Sequence, residues 1–176
     1  LSIQDGRVTL NDAGSGTRIV LDQMWFAGEV RSLIGPIRGR GEFVTSGALY
    51  GYDVSAGRSG PEGIKFRLGL KNDERPLSAE ADGMLTFEGG SPRFDGALTL
   101  ARPAGAVLAS GKAKGYEPWR LTSKIKAQTG SAALDEVSFQ YGPDERATTL
   151  TGAADFKFGA QPQLQGKLTA RQIDLD

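Results

Sequence analysis

The sequence predicts an all-β fold: a long antiparallel twisted sheet of hairpins, curled into a trough or open sandwich, with very little helix. Three observations lead to this prediction. Apolar and polar residues alternate with a period of two along most of the chain, which is typical of strands with one apolar and one solvated face. Clusters rich in Gly and Pro separate the alternating runs. No long segment has the 3.6-residue apolar period of a helix.

The N-terminal part begins with a predicted hairpin, in which Asp5-Gly6 forms a two-residue turn between Leu1–Gln4 and Arg7–Leu10. Asp22–Val30 is one of two segments that could hold a helical turn; Pro103–Ser110 is the other. The rest of the chain is expected to be strand and loop.

Alternation is strict in the middle and C-terminal parts of the chain. Loops are expected where Gly and Pro cluster, at residues 57–63, 71–76, 89–92 and 159–162. The strands predicted between these loops are Ile64–Leu70, Leu77–Phe87, Phe94–Leu100, Leu121–Ala127, Val137–Tyr141, Leu150–Phe158 and Leu164–Ala170.

The domain organisation predicted from these patterns is a single β-rich fragment, residues 1–176, of a longer protein. The chain begins without Met and stops within a strand-like run. Two hairpins near residues 77–102 and 147–171 share a Phe-ending strand, a Gly-containing turn, Pro and a Gly-x-Leu-Thr sequence. They indicate a repeated multi-strand unit, although any two hairpins can share such a pattern.

Composition argues against several functions. The 21 basic and 21 acidic residues balance, so no electrostatic footprint for nucleic acid is visible. The sequence has no His and no Cys, which removes the commonest general base, thiol nucleophiles and the usual zinc ligands. We therefore expect no enzyme activity, no cofactor and no metal site.

Two groups of residues could still carry chemistry. Glu80 with Asp82, and Asp174 with Asp176, are carboxylate pairs spaced to lie on one strand face, where Ca²⁺ binding or glycoside hydrolysis competes with plain solvation. Aromatic residues could form a stacking platform for a sugar or base, or could pack as core and cross-strand pairs. They are Trp25, Phe26, Phe43, Tyr50, Tyr52, Trp119 and Tyr141.

The predicted apolar face mixes bulky residues with small ones. A closed sandwich uses small residues opposite large ones, whereas a trough uses them to leave space for a ligand, and the sequence leaves both options open. The small residues are Ala79, Ala81, Gly83, Gly96, Ala127, Gly152, Ala154, Gly166 and Ala170.

Four segments resemble AsmA-family proteins of Gram-negative bacteria. They are "SLIGPIRGRGEF" (32–43), "GRSGPEGIKFRLGL" (57–70), "ADGMLTFEGGSPRFDGALTLARP" (81–103) and "AADFKFGAQPQLQGKLTARQIDLD" (153–176). The family has a Ser-Leu-x-Gly-Pro element, Asp-Gly-x-Leu strands, Pro-x-Phe-x-Gly-x-Leu hairpins and a closing Ala-Arg-Gln-Ile-Asp-Leu-Asp type sequence in this order. The resemblance covers most of the chain.

The resemblance implies a large periplasmic protein, held in the inner membrane by a segment absent from this chain. Its body is similar to the bridge-like lipid-transfer proteins, in which a trough carries the acyl chains of phospholipids toward the outer membrane and so maintains envelope integrity. No catalytic residue and no envelope-protein partner come with the resemblance. On this basis the predicted lipid-facing residues are Leu85, Phe87, Leu98, Leu150, Phe156 and Leu168.

Two other functions remain open at this point. One is a passive structural or protein-interaction β-sandwich, which requires a closed, filled core. The other is a carbohydrate-active or carbohydrate-binding β-sandwich, which requires facing carboxylates in a cleft or coplanar exposed aromatic rings.

Overall fold

Eleven strands form one antiparallel sheet whose strand order follows the chain from β1 to β11. The computed structural model describes residues 1–11, 18–30, 35–72, 74, 76–103, 117–143, 146–159 and 161–170. The strands are β1 Ser2–Asn11, β2 Arg18–Val30, β3 Ile37–Thr45, β4 Ala48–Ala56, β5 Ile64–Asn72, β6 Leu77–Glu88, β7 Ser91–Arg102, β8 Trp119–Gln128, β9 Ser131–Tyr141, β10 Thr148–Lys157 and β11 Gln163–Ala170.

The predicted all-β fold is confirmed: 81% of the described residues are in antiparallel strands, with essentially no helix. The sheet is open and uncurled, so the curl that the sequence predicted is not present. Each described strand pairs only with its neighbours in sequence, and within the described ranges no second sheet packs on this one. The described strands therefore form neither a trough nor a closed sandwich.

Tight turns connect several strands, as their residue types require. Ser46 and Gly47 between β3 and β4, and Gly89 and Gly90 between β6 and β7, all have positive φ. Positive φ at both central residues is the type I′ geometry, whose twist matches that of the flanking strands. These turns keep consecutive strands adjacent and so produce the simple strand order.

The predicted hairpin turn at Asp5-Gly6 is wrong. Asp5 has a positive φ of 52°, but the chain continues as one strand, and Gly6 lies opposite Met24 of β2 between two register shifts. Asp-Gly supplies positive φ to a β-bulge as readily as to a turn. Because β2 is 13 residues long, it pairs with β1 on both sides of this bulge.

Asp22–Val30 was predicted as a possible helical turn, but it is strand throughout. Its residues Phe26, Gly28 and Val30 pair with β3. In the second segment, residues 104–110 lie outside the described residues.

Burial is shallow everywhere in the described part of the chain. No large side chain there is fully buried. The buried apolar residues are Phe26, Ala48, Ala132 and Val137. A single-layer sheet has this property because each residue is covered only by its neighbours on the same face.

Candidate functional site

The strand register divides the sheet into an apolar face and a polar face. Directly opposite residues in antiparallel strands share a face, so a row of partners can be followed across the sheet. We define the apolar face as the side that carries the row Gly28, Gly39, Val54, Leu68, Ala81, Leu98 and Ser123, which continues past the register shift between β8 and β9 as Val137, Gly152 and Leu168. The polar face is the opposite side, which carries Asp82, Ala97, Lys124 and Gln165.

All six residues that were predicted to face lipid lie on the apolar face. Leu98 and Leu168 belong to the row that defines it. Leu85 pairs with Phe94, Phe87 with Pro92, Leu150 with Ala170, and Phe156 with Leu164, all at the same parity. The structure thus brings these residues to one surface, while contact with lipid remains a prediction.

Bulky apolar side chains on this face are exposed to solvent. Leu164 is 69% exposed, Phe87 is 58% exposed and Leu168 is 50% exposed, and Leu77 and Phe158 are exposed as well. Large exposed apolar surface is uncommon on soluble proteins and marks an interaction site. The described residues provide no layer that covers it.

The apolar face is long in the direction perpendicular to the strands. Eleven strands have ten spacings between them, and at roughly 4.8 Å per spacing the face extends roughly 48 Å. Rows of apolar residues run along this direction from strand to strand. The face can therefore accept an extended apolar ligand laid across the strands.

Glycine pairs bring neighbouring backbones close together on the apolar face. Gly83 and Gly96 are directly opposite, and a Cβ added to Gly83 would lie 2.6 Å from the Gly96 Cα, closer than real Cβ atoms come. On the same face, the rings of Phe66 and Phe94 meet edge to face at 6.3 Å between centroids. The small residues therefore serve local packing here.

The aromatic residues of the N-terminal strands pack against each other and over glycines. Phe43 stacks on Tyr50 at 5.6 Å, with 12° between the ring planes, and contacts Tyr52 at 5.8 Å. A Cβ on Gly41 would lie 2.8 Å from the ring of Tyr52, so that ring occupies the glycine position. Burial raises the pKa of the Tyr52 hydroxyl.

These contacts favour packing over a sugar-stacking platform for the N-terminal aromatic residues. Trp25 is separated from them, because it lies on the polar face opposite Glu42. Trp119 and Tyr141 lie opposite each other several strands away, where Trp119 packs against Phe139 at 6.1 Å.

Charge pairs link neighbouring strands on the polar face. Arg67 Nε donates to Asp82 Oδ2 at 2.7 Å, and these residues are directly opposite. Lys124 Nζ donates to Glu136 Oε1 at 2.5 Å, and this hydrogen bond raises the pKa of the Lys124 amine. Asp82, half of one predicted carboxylate pair, is therefore engaged in an ion pair, and Asp174 and Asp176 lie outside the described residues.

A cavity of about 700 Å³ also lies on the polar face. Charged side chains of both signs line it, including Arg93, Asp95, Lys126, Asp155 and Lys157. Arg93 is paired with Glu88 at 3.1 Å. This cavity lies on the face opposite the predicted lipid-facing residues. The apolar surface is therefore not the surface that carries the cavity.

Two polar residues are buried in the described part of the chain, Asn72 and Ser123, and neither was predicted from the sequence. Ser123 is buried on the apolar face, and its hydroxyl has no hydrogen-bond partner among the residues that the structure describes. The residue sits beside a register shift, where Glu136 of β9 has positive φ. Its position at the apolar parity between Leu121 and Ile125 is the sequence signal that could have revealed it.

No metal-binding group of three or more acidic, His or Cys side chains occurs in the described part of the chain. The same residues contain no helix that is long and apolar enough to cross a membrane. No family model, curated protein or solved structure matches the chain.

Proposed function

We propose that this chain is a non-catalytic segment of an AsmA-like periplasmic protein that moves phospholipid between the inner and outer membranes and so maintains envelope integrity. In this proposal the full-length protein is anchored to the inner membrane through a segment that this sequence does not include. The acyl chains of the lipid are the ligand, and the apolar face is the surface that carries them.

The uncovered apolar face is the observation that carries the proposal. Leu98 and Leu168 lie in one row that crosses the sheet, and exposed Phe87 and Leu164 lie on the same face. A second sheet would bury such a face in a sandwich, but the described strands form one layer. The row structure suits an acyl chain, which is itself an extended apolar rod.

The chemistry of the face supports carriage rather than catalysis. Burying a methylene group gives about 0.8 kcal/mol, without a directional requirement. An acyl chain on the apolar face can therefore change position without breaking a directional interaction. Ion pairs such as Arg67–Asp82 keep the polar face compatible with water while the apolar face is occupied.

The first test is crosslinking of lipid from defined positions on the two faces. A photoreactive amino acid replaces Leu98 or Phe156 on the apolar face, and Lys124 or Gln165 on the polar face. The purified chain is mixed with phospholipid vesicles and irradiated. We expect lipid adducts from the apolar positions at least tenfold above those from the polar positions. Equal labelling from both faces would contradict the proposal.

The second test uses matched charged variants of neighbouring residues. Leu98→Asp places a carboxylate on the apolar face, and Ala97→Asp places the same carboxylate on the polar face of the same strand. A charge beside acyl chains lacks a partner and is strongly disfavoured. We expect Leu98→Asp to lose lipid binding in the vesicle assay and Ala97→Asp to retain it. Retained binding in both folded variants would overturn the assignment of the apolar face.

A further inference from the structure

The cavity on the polar face has a floor of short side chains between strands that carry charges. Ala133 of β9 lies directly opposite Lys126 of β8 and Asp155 of β10, and all three residues line the cavity. The two charged residues are two strand spacings apart, roughly 10 Å between their Cα atoms. An alanine side chain does not fill this interval. The cavity of about 700 Å³ falls within the range of about 300–1,000 Å³ that is typical of small-molecule sites.

The neighbouring row of the same face adds hydrogen-bond donors to this floor. Ser131 of β9 lies opposite Gln128 of β8 and Lys157 of β10. Gln128 Nε2 donates to Ser131 Oγ at 3.1 Å. Because the serine oxygen accepts this hydrogen bond, its O–H can still donate to another group. Ser131 and Lys157 therefore provide a hydroxyl donor and an ammonium donor beside Ala133.

Several charges of the cavity are available to a ligand. Arg93 is paired with Glu88 at 3.1 Å. Among the residues that the structure describes, no ion pair includes Lys126, Lys157 or Asp155. These three side chains are exposed. A ligand can therefore pair with them without breaking an ion pair of the protein.

We propose that this cavity binds a zwitterion that carries a phosphate group and an ammonium group a few bonds apart. The phosphate lies between Lys126 and Lys157 and accepts a hydrogen bond from Ser131, and the ammonium lies against Asp155. A phosphate has three acceptor oxygens for these three donors, whereas a carboxylate has only two oxygens.

The register lets both lysines reach one phosphate. Lys126 and Lys157 lie at diagonal corners of the floor, roughly 12 Å apart between Cα atoms. Each ammonium is a compact charge on a flexible four-carbon stem, and lysine binds phosphate as a point charge. The two side chains can therefore converge above Ser131 and Ala133.

The carboxylates of the cavity select for a ligand that also has a positive charge. Asp155 lies two residues from Lys157 on the same face of β10, and Asp95 lies directly opposite Lys126. A free phosphate ion would be placed beside these carboxylates, and adjacent like charges are unfavourable. An ammonium group on the ligand pairs with Asp155 and removes this repulsion.

Such a zwitterion has two sources: soluble phosphoethanolamine and the head group of phosphatidylethanolamine. The shared chemistry is the pair of charges. The inference goes beyond lipid carriage and does not depend on it, because the cavity lies on the face opposite the predicted lipid-facing residues.

Isothermal titration calorimetry with three probes tests the ligand class. The probes are phosphoethanolamine, inorganic phosphate and ethanolamine, at low ionic strength because salt screens exposed charges. We expect saturable binding of phosphoethanolamine and at least tenfold weaker binding of the other two. Absence of saturable phosphoethanolamine binding, or equal binding of inorganic phosphate, would overturn the proposal.

Matched variants test the position of the ligand. Lys157→Gln should weaken phosphoethanolamine binding at least fivefold. Lys167→Gln removes another exposed lysine of the polar face, outside the cavity, and should change binding less than twofold. Asp155→Asn should abolish the preference for phosphoethanolamine over inorganic phosphate. Circular dichroism checks that each variant is folded. Equal effects of the two lysine variants would contradict the assignment.

Vesicle sedimentation distinguishes the two sources of the zwitterion. It uses Leu98→Asp, in which binding through the apolar face is expected to be lost. If this variant binds phosphatidylethanolamine vesicles and excess phosphoethanolamine releases them, the source is the lipid head group. If it binds phosphoethanolamine but not vesicles, the source is the soluble zwitterion. Both results support the cavity, whereas binding that Lys157→Gln leaves unchanged in this background would overturn it. The proposed function is tested separately, because it depends on Leu98 and not on Lys157.

Discussion

The apolar and polar faces of this sheet share one backbone but satisfy their side chains in different ways. On the polar face, pairs such as Arg67–Asp82 and Lys124–Glu136 join neighbouring strands, and their charges also remain hydrated. On the apolar face, neighbours on the same side cover each residue only in part, so that Leu164 and Leu168 stay exposed. The side chains of the polar face are paired or hydrated in water, whereas part of the apolar face stays exposed to solvent.

This difference separates two roles among the apolar residues. Some, such as Phe26 at 9% exposure, are buried by local packing and stabilise the sheet itself. Others, such as Phe87, contribute little to the free energy of folding because they gain little burial. The second group is the one available to a ligand, and substitutions can distinguish the two.

The largest effect is expected at the most deeply packed ring. Phe26→Ala should lower the free energy of unfolding by about 3 kcal/mol, because it removes a buried ring that covers Gly28 and Gly39. Phe87→Ala is the matched control, with an expected loss under about 1 kcal/mol since the ring is mostly exposed. Urea unfolding monitored by circular dichroism measures both. Similar losses of unfolding free energy for the two variants would show that buried and exposed apolar residues do not differ in their contribution to stability.

The next effect concerns the close approach of strands at glycine pairs. Gly83→Val should destabilise the protein by about 2 kcal/mol, because its Cβ would collide with the backbone of Gly96. Gly51 lies in β4 on the polar face, where an added Cβ meets nothing within 4 Å. Gly51→Val should therefore be nearly neutral in the same urea experiment. A larger loss at Gly51 than at Gly83 would contradict the packing role of the glycine pair.

A smaller effect is expected for charges placed on the two faces of lipid-free protein. Leu98 is half-buried, and Leu98→Asp should lower the free energy of unfolding by about 1–2 kcal/mol while the sheet remains folded. Ala97→Asp, on the polar face, should cost less than about 0.5 kcal/mol. Thermal melts compare the two. Complete unfolding of Leu98→Asp would indicate a closed core rather than an accessible face.

The smallest effect is a pH response of the polar face. Glu136 raises the pKa of Lys124, so the pair favours the folded state below the ordinary lysine pKa of 10.5, and this contribution is lost as the pH rises through the raised value. Glu136→Gln should lower the Lys124 titration midpoint, as followed by NMR of the side-chain amine. Because the Lys124 and Glu136 side chains are both exposed, the accompanying change in stability should be small. An unchanged midpoint would show that the pair does not persist in solution.

Much of the two-face arrangement follows from the sequence. The alternation of Leu85 and Phe87 with Thr86 and Glu88 fixes which side chains share a face, because successive residues of a strand point to opposite sides. The six residues predicted to face lipid therefore lie together in the structure. The repeat near residues 77–102 and 147–171 stays a prediction, although both segments contain hairpins, β6–β7 and β10–β11.

The sequence by itself thus determined the strands of the middle and C-terminal parts of the chain, the loops at residues 57–63, 89–92 and 159–162, and the apolar parity, since these depend on residues that are near each other in the chain. Tertiary structure decided the rest. Asp5-Gly6 suits a bulge as well as a hairpin, and only the length of β2 opposite it selects the bulge. The closeness of Gly83 to Gly96 depends on which residues are paired, which alternation alone does not specify. The number of layers was likewise decided by contacts between distant segments, because an alternating strand fits an open sheet and a sandwich equally well.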